Sequence, residues 1–140
     1  MSTSSANDFN ARIIEQFRAN GGRVGEPFGN TPLLLMHHVG ARTGTPRINP
    51  LAYLADGNRY VIFASKAGAP TNPDWYYNLR AHPDVTIEIG TDTLKATAHQ
   101  ATGAERERLF SAMAERNPSF AEYQRRTDRV IPVIVLEPVN

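Results

Sequence analysis

The chain has 140 residues, no Cys, ten Gly and ten Pro, with 41% hydrophobic and 21% charged residues, which is the composition of one globular domain able to bury a core without covalent staples. The lack of Cys excludes disulfides, zinc–thiolate sites, iron–sulfur clusters and a thiol nucleophile. A formal net charge of +1 is too balanced for a dedicated nucleic-acid binder, and apolar runs such as Leu33–Met36 are far too short to cross a bilayer.

Met1–Asp8 is small and polar, without the basic and apolar regions of a secretory signal. It is expected to be a disordered lead over 1–7, followed by a single domain over 8–140 located in the cytoplasm. Phe9, Ile13, Ile14 and Phe17 share one helical face, which predicts a helix over Asp8–Ala19 ended by Gly21-Gly22. Arg23–Pro32 is a Gly/Pro-rich connection. Three strands are then expected, Leu33–Val39, Arg47–Leu54 and Tyr60–Ala64, separated by turns at Gly40–Thr45 and Asp56-Gly57. They read as a meander, with the almost wholly apolar third strand in a central position. Lys66–Pro73 reads as a loop, and Asp74–Ala81 as a short helix capped by Asn72 with Pro73 at its first position. Val85–Ile89 and Thr93–Ala101 form a hairpin. Thr102 and Glu105 have capping-box spacing at the start of a helix to Arg116, a further short helix runs from Pro118 to Arg126, and Ile131–Leu136 is the last strand. Strands that follow strands through tight turns argue for a closed or nearly closed antiparallel barrel with helices outside, and against a Rossmann sheet.

The chemistry-bearing residues narrow the function. His37 and His38 are adjacent on a strand, so they point to opposite faces and cannot share a metal ion. No His-x-His or His-x-x-x-His is present. No Gly-x-Ser-x-Gly elbow supports a hydrolase, and Gly40–Gly44 lacks the ending of a phosphate-binding P-loop. Three elements do cluster within one short stretch. Arg42 and Arg47 flank a Thr-Gly turn, Lys66 follows an apolar strand within a small-residue loop, and Asn72-Pro73-Asp74-Trp75-Tyr76-Tyr77 opens a helix with aromatic residues. Cations beside closely approachable backbone make an anion cradle, and a helix start tolerates negative charge. A planar ligand with an acidic tail suits such a combination.

Gly40-Ala-Arg-Thr-Gly-Thr-Pro-Arg-Ile-Asn-Pro-Leu51, Ala64-Ser-Lys-Ala-Gly-Ala-Pro70, Asn72-Pro-Asp-Trp-Tyr-Tyr-Asn-Leu79 and Tyr123-Gln-Arg-Arg-Thr-Asp-Arg-Val-Ile-Pro132 stand in the order of the deazaflavin-dependent nitroreductase family, and the chain resembles that family over about residues 10–138. The family comprises actinobacterial quinone and nitro reductases that use coenzyme F-420. The resemblance implies a mainly β, α+β fold, the split β-barrel of the flavin-mononucleotide-binding type. It implies hydride transfer from reduced F-420 to a quinone, nitroaromatic or similar planar electrophile. By the same resemblance Arg42, Thr43, Gly44 and Arg47 meet the anionic tail. Asn49, Pro50, Leu51, Trp75 and Asn78 shape the pocket, and Ala64, Ser65, Lys66, Ala67 and Gly68 line the phosphate and ring side. Tyr123 and Ser65 are the candidate catalytic groups. Phe120, Asn117 and Ala52 stand where some relatives carry aromatic side chains, which implies a wider and more apolar acceptor pocket. Alternatives are a non-catalytic deazaflavin carrier and a reductase that binds flavin mononucleotide. The expected partners are a small planar acceptor and a second copy in a homodimer, with no nucleic acid and no membrane insertion.

Overall fold

The computed structural model describes residues 5–24 and 31–139. The elements are helix α1 (Ser5–Ala19), strands β1 (Leu33–Val39), β2 (Pro46–Ala52), β3 (Leu54–Asp56) and β4 (Arg59–Phe63), a 3-10 turn (Lys66–Gly68), helix α2 (Asp74–Ala81), strands β5 (Asp84–Ile89) and β6 (Asp92–Ala101), helices α3 (Gly103–Arg116) and α4 (Ser119–Arg125), and strand β7 (Val133–Pro138). Helix α1 starts at Ser5, three residues before the expected Asp8. Residues 1–4 of the expected lead and 25–30 of the Gly/Pro connection lie outside the described residues.

All seven strands belong to one antiparallel sheet, ordered β2-β1-β5-β6-β7-β4-β3. The expected meander is corrected here. The second expected strand breaks at Tyr53: Ala52 pairs with Leu33 of β1, whereas Leu54 pairs with Val61 of β4. Strands β2 and β3 therefore sit at opposite ends of the sheet order although one residue separates them. Two residue steps reach at most about 7 Å, so the two ends of the sheet must be brought side by side, and only a curled sheet does this. Among the described residues β2 and β4 approach each other without a ladder bond, which leaves a barrel with a seam.

Side-chain alternation distributes the core to both faces of this sheet. Leu34, Met36, Ile62, Ile87, Ile134 and Leu136 join Trp75, Tyr76 and Leu79 of α2 on one side. Val61, Phe63, Val133 and Val135 meet Leu109, Phe110 and Met113 of α3 and Phe120 of α4 on the other. Leu33 and Leu35 are covered by Ile13 and Phe17 of α1, the helical stripe read from the sequence. The apolar run in β4 thus reflects two covered faces; the strand lies second from the sheet edge, not at its centre. At the end of α1, Gly22 has φ +96°, and a Cβ there would come 2.7 Å from the Cα of Gly90, so the chain closes against the β5–β6 turn only with glycine.

Two expected caps are replaced. Thr102 does precede α3, but it makes no side-chain capping bond, because Glu105 is turned to Arg59 at 3.2 Å. Pro73 occupies the cap position of α2, and the Asn72 amide is engaged elsewhere. An ion-pair cluster fixes the edge hairpin to α3: the Asp56 carboxylate accepts from Arg59 Nη2 at 2.5 Å and from Arg108 Nη1 at 3.1 Å. These guanidinium bonds, Arg108 first, hold the Asp56 pKa down at about 2, against 3.8 ordinarily. A carboxyl depressed on folding contributes stability that is complete above its unfolded value and is lost as pH falls through the folded one. We expect Asp56→Asn to be less stable than wild type at pH 7, with the difference vanishing between pH 4 and pH 2 in a thermal-unfolding series.

Candidate functional site

Two cavities open on either side of the first turns of α2. The larger, about 600 Å³, is bounded by Pro50, Leu51 and Ala52 at the end of β2, by Phe63, Ser65 and Lys66 after β4, by Pro73 and Trp75, and by Asn117, Ser119, Phe120 and Tyr123 of the late helices. The smaller, about 340 Å³, is bounded by Gly40, Ala41, Arg42, Thr43 and Arg47 of the β1–β2 turn and by Asp74, Tyr77 and Asn78 of α2. The sheet seam explains the first. Curling brings the end of β2 against the end of β4, and the aromatic side chains of α4 close the far wall. Volumes of several hundred Å³ lined by apolar rings with a few polar groups suit a drug-sized planar ligand.

The sequence-predicted residues divide between these cavities. Pro50, Leu51, Ser65, Lys66, Trp75 and Tyr123 share the larger one, and Arg42, Thr43, Arg47 and Asn78 share the smaller. The three cations are therefore divided between two cavities flanking the start of α2, and are not gathered along neighbouring strands of a meander. Neither Arg42 nor Arg47 is within 4 Å of a carboxylate among the described residues, although Asp74 lines the same cavity. Among the described residues the Lys66 ammonium donates only to Thr71 Oγ1, at 3.3 Å. Gly44 and Asn49 line neither cavity. Ala64 is fully buried in the core, and Gly68 is buried against α4. The side chain of Ala67 lies outside the described residues.

Residues that the motifs did not single out organise the site. His38, 5% exposed, lies on the core-facing side of β1 and joins two predicted pocket residues. Its Nε2–H donates to Asn49 Oδ1 at 2.7 Å, its Nδ1 accepts from Asn78 Nδ2 at 3.2 Å, and Asn78 Oδ1 accepts from the Ala41 backbone N–H at 2.8 Å. This chain of bonds ties the arginine-bearing turn to α2. The ring roles follow from the amide orientations the network assigns. His37 points the other way, to Glu88, as alternation along the strand requires. A strand histidine on the same face as Leu34 and Met36 was the sequence signal: an inward polar group has to find partners. Arg129 is the second such residue. Its guanidinium reaches back to the loop after β4, donating to the carbonyls of Ala64 (3.0 Å), Ser65 (2.8 Å) and Ala69 (2.9 Å) and to Asn72 Oδ1 (2.7 Å). It takes the amide that the sequence assigned to capping α2.

The loop so held is unusual. Lys66 has φ +46°, a left-handed conformation that costs a non-glycine residue about 1 kcal/mol or more. Gly68, at φ +82°, would place a Cβ 2.8 Å from the Tyr123 carbonyl oxygen and 2.9 Å from Arg126 Cβ, so only glycine lets the loop lie this close to α4. Among the described residues no helix is long and apolar enough to cross a membrane.

A seam-split antiparallel barrel with an aromatic groove and a cation-lined cavity at its rim is an arrangement able to receive a flat, anionic ligand. Residues 11–138 match the family model described as F-420H(2)-dependent quinone reductase. The chain is 43% identical over 124 residues to the F-420H(2)-dependent quinone reductase Rv1261c of Mycobacterium tuberculosis, covering 86% of this chain and 83% of that protein. Among solved structures, an F-420-H2-dependent reductase superposes with a TM-score of 0.71 at 39% identity, covering 76% of this chain and 94% of that one. A chain solved as a domain-swapped dimer does so with a TM-score of 0.73 at 34% identity, covering 94% and 99%. The chain belongs to the F-420H(2)-dependent quinone reductase family. It is accordingly an oxidoreductase that uses coenzyme F-420 and passes hydride to a quinone, and the carrier and flavin-mononucleotide alternatives are not favoured.

The buried histidine generates a pH prediction. Burial, opposed by the bond to Asn49, lowers the His38 pKa below the ordinary 6.5, so the folded protein keeps this ring neutral. Below pH 6.5 the unfolded chain binds a proton that folded His38 refuses, and stability falls with pH. His38→Leu deprives Asn49 Oδ1 and Asn78 Nδ2 of their histidine partner and is expected to cost about 2–4 kcal/mol at pH 7.5. Denaturant titrations of both proteins at pH 7.5 and pH 5 should show the gap between them narrowing at the lower pH.

Proposed function

We propose that the groove walled by Trp75, Phe63, Phe120 and Tyr123 holds the tricyclic ring of coenzyme F-420, with Lys66 and Ser65 toward its phosphate and Arg42 and Arg47 holding its acidic tail. The observation that carries this reading is the placement of an aromatic groove and an arginine-lined cavity on the two sides of one helix start, with Lys66 at the lip of the first. When bound, reduced F-420 supplies a hydride; the chain's own residues do everything else. Trp75, 6% exposed, is fixed in the core and presents a rigid wall. Phe63 and Phe120 meet edge to face at 5.5 Å, and Phe120 and Tyr123 at 5.4 Å, which gives the acceptor side a preset shape and keeps water from it. Ala52 leaves room beside them for a substituted ring.

A quinone that receives hydride also needs a proton. The Tyr123 hydroxyl makes no hydrogen bond among the described residues and faces the groove, so it is free to donate to the acceptor oxygen. Ser65 stands across the groove from it, as a hydrogen-bond donor to the ring or phosphate. The assembled state we infer is a homodimer; a relative of 34% identity solved as a domain-swapped dimer supports it.

Fluorescence titration with F-420 tests the cradle. Arg42→Ala combined with Lys66→Ala removes two charge-assisted contacts and is expected to weaken binding by about 100-fold or more. An unchanged dissociation constant would move the cofactor elsewhere. Tyr123→Phe is expected to lower kcat with menadione by about 10-fold or more while the KM for reduced F-420 stays within a factor of two or so. Equal kcat would assign the proton to water.

A further inference from the structure

Arg129 lies between two exposed residues, Asp128 and Val130, the latter 69% exposed. Yet its guanidinium turns inward and spends four of its five donors on one loop. All the acceptors belong to residues 64–72, the stretch that carries Ser65 and Lys66 into the groove. No carboxylate lies within 4 Å of it among the described residues, so the contacts fix a shape and do not neutralise a charge. The shape matters because Lys66 is held in a left-handed conformation that its own side chain disfavours. The carbonyl just before it, of Ser65, and one just after the turn, of Ala69, are both gripped by the same planar group.

Arg129 is itself held from behind. Gln124 Nε2 donates to the Arg129 carbonyl at 2.8 Å, and Gln124 Oε1 accepts from the Ile131 N–H at 3.0 Å and from Arg106 Nη2 at 2.9 Å. Arg106, 8% exposed, also donates to the Ile131 carbonyl at 2.9 Å and stacks over Phe110 at 4.5 Å. A continuous series of bonds thus runs from the core of α3, through α4, to the strained residue at the groove.

We propose that Arg129 is a positioning residue for the reaction: its guanidinium fork sets the conformation of the Ser65–Asn72 loop and so aims Ser65 and Lys66 at the bound cofactor, a role that rests on the groove being the cofactor site. Lysine cannot replace it, because a single nitrogen cannot span the carbonyls of Ala64, Ser65 and Ala69 and the Asn72 amide together. The added positive charge beneath the loop is secondary, since the lysine variant keeps it.

The test uses the full chain with Arg129→Met and Arg129→Lys, measuring F-420 affinity by fluorescence, then KM for reduced F-420 and kcat with menadione, alongside thermal unfolding. We expect both variants to raise the F-420 dissociation constant and the KM for reduced F-420 by about 10- to 100-fold, with the KM for menadione changed by less than a factor of about three. Should Arg129→Met fail to fold, Arg129→Lys carries the test. Full recovery of affinity in Arg129→Lys, or a fall in kcat at unchanged KM for reduced F-420, would overturn the proposal, since the first leaves only a charge and the second only a smaller folded fraction. If wild type binds F-420 and Lys66→Ala leaves the dissociation constant unchanged, it is the site reading that fails. If wild type binds, Lys66→Ala weakens binding and the Arg129 variants match wild type, the site reading stands and Arg129 has no positioning role.

Discussion

The passage of the chain from one end of the sheet to the other within a single residue, Tyr53, is the constraint on which the rest depends. With Ala52 laddered to β1 and Leu54 laddered to β4, the two ends of a seven-strand order cannot be more than a few ångströms apart. The sheet has to curl, and its right-handed twist makes a barrel the natural form of that curl. The seam where β2 and β4 fail to bond is then an opening by construction. Pro50–Ala52 line one side of it and Phe63, Ser65 and Lys66 the other, so the groove follows from the topology. Tyr53 itself packs edge to face on Tyr60 at 5.6 Å, and its N–H reaches the Pro32 carbonyl at 3.3 Å, which pins the crossing point.

Much of this was legible in the sequence, and the places where it was not have physical reasons. Strand β1 and helices α2 and α3 fall where periodicity and flanking residues put them. The meander was a misreading of Tyr53. Sequence patterns show that Arg47–Leu54 is extended, but an extended residue that changes neighbours looks like one that keeps them. The apolar strand β4 was placed centrally because parallel and fully buried strands share its pattern. What the pattern reports is burial on both faces, and here α2 supplies one cover and α3 with α4 the other. The caps failed for a different reason. Glu105 and Asn72 have the right spacing to bond locally, but each is within reach of a distant arginine, Arg59 and Arg129, and a charged donor wins over a backbone N–H.

The site shows the same division. Cations and aromatics announce themselves by type and spacing, so Arg42, Arg47, Lys66 and Trp75 could be read directly. Their supports could not, because His38 and Arg129 act over separations of 40 and up to 65 residues and touch the cavity only through others. His38 orients the Asn78 amide that accepts from Ala41, and so helps fix the arginine-bearing turn relative to α2. A net charge of +1 would suffice for the proposed polyanionic ligand only if the few relevant cations are held in place, and the His38 and Arg129 networks hold the two segments that carry them.

The late helix illustrates how far such support has to extend. At seven residues α4 is too short to be stable alone, so the position of Tyr123 is set by tertiary packing. Phe120 anchors the helix in the core between Phe63 and Tyr123, and Gly68 lets the loop after β4 lie directly against the Tyr123 carbonyl. The wall that faces the acceptor and the loop that faces the cofactor are therefore one packed unit. A larger residue at position 68 would push them apart even though it touches neither ligand. A shared support for Tyr123 and Lys66, the proposed proton donor and cationic lip, fixes their separation, which is what the proposed reaction requires of groups serving one acceptor.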